Sequence, residues 1–127
     1  MTMPARHRDA LQALCGGQLT ITRQHEGALY VFPRPAWEVF RERVMQLPVS
    51  ALGWKSIYLG YAFDAEVDGS SRVLIPPELR AAAGIERDVM LLGMGDRFEL
   101  WDVARLAARE QAVLAQGVPA AVANLVL

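Results

Sequence analysis

Cysteine, lysine and long apolar runs are all scarce in this 127-residue sequence. Cys15 is the sole cysteine, so no intrachain disulfide framework is available, which suits a reducing compartment. No run of about 18 apolar residues occurs, so no membrane-spanning helix is expected. The start, Met1–Arg8, carries positive charge but no apolar segment behind it, unlike a signal peptide. Neither sign of charge prevails. Thirteen basic residues against fourteen acidic ones leave a net charge of −1, so nucleic-acid binding cannot rest on bulk charge. His7, Cys15 and His25 match no zinc-ligand spacing, and no nucleophile elbow, phosphate loop or catalytic dyad appears. Gly93-Met94-Gly95 sits between two strand signals and reads as a turn rather than a dinucleotide cradle. The expectation is a non-enzymatic protein with no cofactor, no metal and no small-molecule substrate, acting in the cytoplasm.

What is present is enough for one compact domain. Apolar residues make up 53% of the chain, and a domain of this length buries roughly two-thirds of its unfolded surface. The basic charge is almost wholly arginine, twelve residues beside Lys55 alone. Arginine's planar fork of donors suits phosphate and guanine edges. A GC-rich genome accounts for the same bias, so composition leaves both readings open.

Strand and helix signals alternate along the chain. Leu19–Thr22 and Ala28–Phe32 read as a hairpin around Gln24–Gly27, stopped by Pro33 and Pro35. A helix follows with Trp37, Phe40, Val44 and Leu47 on one face, ended by Pro48; 49–59 reads as a second short helix closed by Gly60. Tyr61–Val67 alternates as a half-buried strand, with Asp64 and Glu66 on its solvated face. Asp68–Ser71 is a turn and Arg72–Ile75 the return strand. Pro76–Arg80 opens a short helix that Gly84 terminates; Val89–Leu92 and Arg97–Trp101 form a second hairpin. Asp102 caps a last helix over 103–115, with Val103, Leu106, Val113 and Leu114 expected to face inward. Trp37, Trp54 and Trp101 suit core or subunit-interface positions better than base stacking.

The halves repeat. Pro4–Arg8 superposes on Pro76–Arg80, and Leu29–Phe32 on Phe98–Trp101, each half reading short helix, strand, turn, strand, helix. The division is 1–48 for a first repeat lacking its leading hairpin, and 49–127 for a second repeat with a C-terminal helix and tail. Without that leading hairpin, strand 61–67 is expected to lose its partner within the chain, favouring association with another copy.

The segment Asp68-Gly69-Ser70-Ser71-Arg72-Val73-Leu74-Ile75-Pro76 resembles a hairpin of the MraZ family and its AbrB/MazE-like relatives, where Asp-x-x-x-Arg sits on a β-turn and Ile-Pro leads into a short helix. Glu99–Asp102 is similar to that family's second-repeat strand, Tyr30–Pro33 with Trp37 to its first-repeat counterpart, and the tail 119–127 to the way its members end. The resemblance implies a β-rich α+β fold, a double-split β-barrel of two pseudo-symmetric swapped-hairpin repeats with short peripheral helices. It implies a DNA-binding transcriptional regulator of the division and cell-wall gene cluster, nucleoid-associated and assembled into a ring that reads repeated operator boxes. Arg72, with Asp68, Gly69, Ser70 and Ser71, is then the DNA-binding loop. A carboxylate and a guanidinium at i and i+4 are also expected to pair, holding Arg72 upright. Two departures stand out. Ser71 occupies a position where the family usually has glycine, and the first repeat's own motif is absent before Pro4. A chain shortened there is expected to bind DNA weakly. The alternative on the same fold is an antitoxin-like interaction module, although residues 115–127 carry none of the acidic charge such partners use.

Overall fold

The computed structural model describes residues 1–126, without the side chains of residues 14, 15 and 126. Elements run in the order α1 (Ala5–Cys15), β1 (Gln18–Arg23), β2 (Leu29–Pro33), α2 (Arg34–Met45), a single 3-10 turn (Val49–Ala51), α3 (Leu52–Gly60), β3 (Phe63–Glu66), α4 (Pro77–Ala82), β4 (Val89–Gly93), β5 (Phe98–Asp102), α5 (Val103–Ala115) and α6 (Ala120–Val126). The fold is mixed α/β around one antiparallel sheet of five strands in the order β3-β1-β2-β5-β4. None of the described helices is long and apolar enough to cross a membrane.

The period-2 alternation of the strands decides which face each residue serves. Leu19, Ile21, Leu29, Val31, Ala65, Leu91 and Leu100 build the main core, which Leu11 of α1 and Leu79 of α4 close. Tyr30 and Phe32 point the other way, onto Trp37, Phe40 and Tyr58 of α2 and α3. Further along that second face, Ala28 and Trp101 meet Leu106 of α5. Strand β2 is therefore buried along its whole length. Arg97 lies over the rings of Tyr30, Phe32 and Phe40, with its centre 5.3, 5.0 and 5.5 Å from them, and pairs with Asp96 at 2.9 Å.

Helix ends follow their local chemistry. The Asp102 carboxylate accepts from the Arg105 amide at 3.1 Å, and Gly84 ends α4 with φ of 64°. Helix α5 is then strapped down by arginines: Arg105 donates to the Gly27 and Ala82 carbonyls, and Arg109 pairs with Glu26 at 3.1 Å. That guanidinium holds the Glu26 carboxyl below its ordinary range.

Three expectations need correction. Strand 61–67 does not lack a partner: β3 crosses to the first half and pairs with β1, Leu19 opposite Ala65, so that β3 and β4 form the two edges of the sheet. Arg72–Ile75 is not a return strand against β3. Below the turn its arm diverges, and an isolated bridge joins Arg72 to Thr2. Helix α5 also buries less than its pattern suggests. Leu106 faces the core, but Val103 at the start of the helix is exposed, and so are Val113 and Leu114, because the later turns extend past the sheet. Trp37 and Trp101 are buried as expected, and Trp54 is partly exposed, at 45%.

Trp101→Phe tests the second face. Its indole Nε1 donates to the buried Glu99 Oε1 at 3.0 Å, so the substitution strands that acceptor. We expect a loss of about 1–3 kcal/mol, read as a lower urea midpoint with an unchanged slope.

Candidate nucleic-acid interface

The turn at 68–71 is built almost wholly from local hydrogen bonds. The Ser71 amide donates to the Asp68 carbonyl at 3.0 Å, and the Asp68 amide to the Arg72 carbonyl at 3.0 Å. This is a three-residue hairpin loop, which needs a left-handed residue just before the closing arm. That residue is Ser71, with φ of 62°, the one non-glycine at positive φ among the described residues. Glycine takes this conformation freely, and an L residue pays roughly 1–2 kcal/mol there. The loop type is thus the one that glycine normally serves, with serine in its place.

Asp68 does not hold Arg72 by an ion pair. Its Oδ1 accepts from the Ser70 amide at 2.8 Å and from the Arg72 amide at 2.9 Å, and no ion pair joins the two side chains among the described residues. The physical reason is proximity: an aspartate at the head of a turn reaches its own backbone more readily than a flexible guanidinium. The Arg72 amide first, and the Ser70 amide second, hold the Asp68 carboxyl below the usual carboxylate range. Arg72 itself is exposed, with no hydrogen-bonded or ion-paired side-chain partner among the described residues. A Cβ added at Gly69 would meet nothing within 4 Å, so the tip of the loop is open to an approaching ligand.

The arm after the turn is anchored by the chain's first residues. The Met3 amide donates to the Ser71 carbonyl at 2.6 Å and the Val73 amide to the Met1 carbonyl at 2.6 Å, while the Met1 nitrogen reaches the Val73 carbonyl at 2.8 Å. Val73 and Ile75 turn into the core, and Leu74 between them is exposed. Sequence reasoning missed one residue at this surface. Arg8 of α1 donates through Nη1 to the Ser71 hydroxyl at 2.7 Å, across 63 residues of chain. No local pattern signals such a contact; the one trace in the sequence is the match of Pro4–Arg8 with Pro76–Arg80.

An open, hydrogen-bonded turn carrying an exposed arginine, set on a mixed α/β scaffold around one five-stranded antiparallel sheet, defines a small domain of helices packed on a single sheet. Comparison with known proteins gives the family. The family described as "MraZ protein, putative antitoxin-like" matches residues 58–124. A "Transcriptional regulator MraZ" of Methylibium petroleiphilum is 60% identical over 119 residues, covering 94% of this chain and 82% of that protein. Its namesake in Ralstonia pickettii is 57% identical over 124 residues, covering 98% and 87%. Another, from an Acidovorax species, is 57% identical over 94% of this chain and 84% of its own length. The chain belongs to the MraZ family.

The role of Asp68 has a pH signature. A carboxyl whose folded pKa is depressed contributes stability that is full above its unfolded pKa and is lost as pH falls through the folded one. Protection of the Ser70 and Arg72 amides from hydrogen exchange should therefore persist through the ordinary carboxylate range and collapse only below it. Asp68→Asn keeps an acceptor oxygen and should flatten that dependence, which amide exchange followed by NMR checks.

Proposed function

We propose that this chain is a DNA-binding transcriptional regulator that meets its operator through the Asp68–Arg72 turn, with several copies acting together. The observation that carries the reading is the condition of Arg72: an exposed guanidinium, without an internal partner among the described residues, on a turn whose backbone bonds are already made. A ligand there competes with no existing ion pair, and a pre-formed loop loses little entropy on binding. Relatives more than half identical over nearly the whole chain are named transcriptional regulators, which supports the same reading.

A single arginine loop binds a polyanion weakly, and linked copies raise the effective concentration of the remainder. The surface for such assembly is available on α5 and α6 and the link between them. Leu114 is 79% exposed and Leu125 85% exposed, with Val113, Val118 and Val122 also open, and residues 111–127 carry no charged side chain. We read the copies as a homo-oligomeric ring on repeated operator boxes, acting at the nucleoid. The division into repeats 1–48 and 49–127 is supported by two pairings: Tyr30 lies opposite Glu99, and Met1 bonds Val73, each joining residues that the repeat makes equivalent. An antitoxin-like protein partner is the competing reading, and the apolar α5–α6 surface is what it would draw on.

Two measurements test this. Arg72→Ala should fold normally yet lose affinity for a duplex carrying the promoter of the division and cell-wall gene cluster. Its salt dependence should flatten by roughly 0.9 per lost phosphate contact. Unchanged affinity and slope in gel-shift titrations would remove the turn from the interface. Light scattering at micromolar concentration should give a multiple of the 14.0 kDa chain mass, and a monomer would end the cooperative reading.

A further inference from the structure

We propose that Arg8 is a second phosphate-binding residue of this surface, and that Ser71 is the positioning residue that aims it; the inference rests on the turn's proposed role in binding DNA. The chain's arginines differ in what occupies them. Arg97 is held by Asp96 and three rings, Arg109 by Glu26, Arg105 by two carbonyls, and Arg34 by the Leu19 carbonyl. Each of these fastens one element to another within the fold. The long-range anchor of Arg8 is the hydroxyl of Ser71, the residue immediately before Arg72.

The placement is built in three steps. The backbone bonds between Met1–Met3 and Ser71–Val73 fix the chain's entry beside the turn. Pro4 then starts α1, and the Arg8 amide closes its first turn on the Pro4 carbonyl at 3.0 Å. One turn into the helix, the Arg8 side chain reaches back to Ser71 at 2.7 Å. Only one of its N–H groups is used in that bond. Its Nε lies 3.5 Å from Asp9 Oδ1, a surface contact in which the aspartate side chain is 83% exposed and the arginine 43%. Such pairs are weak and screened by salt, so the guanidinium stays available to a phosphodiester.

Ser71 itself supplies the second observation. It is buried and held at φ of 62°, where glycine would be relaxed. What serine offers there and glycine lacks is a hydroxyl, and that hydroxyl is the acceptor for Arg8. The strained serine thus ties a cation from α1 to the loop that presents Arg72. Two guanidinium groups then flank one residue, Arg72 through the chain and Arg8 through a hydrogen bond, an arrangement suited to gripping the DNA backbone rather than reading a base.

The test compares Arg8→Ala, Arg8→Lys, Ser71→Gly and Arg72→Ala on two duplexes, the promoter above and a scrambled sequence of equal length, each titrated at several salt concentrations. Arg8→Ala should weaken both duplexes several-fold and by the same factor, with a salt slope flatter by about 0.9 per engaged contact. Arg8→Lys keeps the charge but not the fork, and should recover part of both. Ser71→Gly should melt at or above the wild-type temperature while losing affinity, which separates aiming from folding. If Arg8→Ala lowers the melting temperature, Ser71→Gly decides the matter alone. Wild-type affinity in Ser71→Gly and Arg8→Ala, with Arg72→Ala still defective, overturns this inference and leaves the turn as the interface. A defect in Arg8→Ala confined to the promoter duplex overturns the phosphate assignment. Wild-type affinity in Arg72→Ala as well overturns the reading on which the inference rests.

Discussion

The two halves of the sheet meet where β2 lies against β5, and that seam depends on satisfying one buried carboxyl. Glu99 is 5% exposed, in the middle of the second face, opposite Tyr30. Its oxygens accept from the Trp101 indole at 3.0 Å and the Gln24 amide at 3.3 Å. Gln24 also orders the β1–β2 connection, its carbonyl oxygen accepting from the amides of Glu26 at 2.6 Å and Ala28 at 3.3 Å. One amide side chain therefore shapes a hairpin loop of the first half and serves an acceptor of the second. A buried polar group is costly when any member of its network is missing, so this cluster favours one register of the seam over its neighbours. Arg109 completes it from above, pairing with Glu26 and lying 5.6 Å from the Trp101 ring.

From that seam outward, the same residue type serves opposite ends. Arginines within the body of the protein are consumed by the fold: they cap carbonyls, cover aromatic faces and bind carboxylates. Arg72 is instead held out on a loop whose own bonds are backbone to backbone or carboxylate to amide. Because the Asp68 carboxylate is spent on amides, the loop's shape and the arginine's freedom are secured separately.

Local chemistry made much of this legible. Asp102 and Gly84 mark helix ends by their side-chain oxygen and their missing Cβ, and the structure places both as their types require. The turn at 68–71 was equally readable, since aspartate, glycine and serine each favour a tight reversal for reasons internal to four residues. The role of Asp68 was not, because a sequence spacing of i and i+4 does not say whether a carboxylate meets a guanidinium or an amide. Val113 and Leu114 misled for a related reason. A helical stripe shows which residues share a face, and not how far the sheet beneath extends.

By itself, then, the sequence determined the five sheet strands, the helix ends at Gly84 and Asp102, and the turn with its exposed arginine, because these rest on bonds and patterns among residues a few positions apart. The tertiary structure decided what each arm of the turn touches. Only folding carries β3 across to β1, sets Met1–Met3 against Ser71–Val73, and brings Arg8 to the Ser71 hydroxyl. Those contacts join residues more than 40 positions apart, and their partners are chosen by burying both faces of one sheet at once, a constraint that no local window of sequence contains.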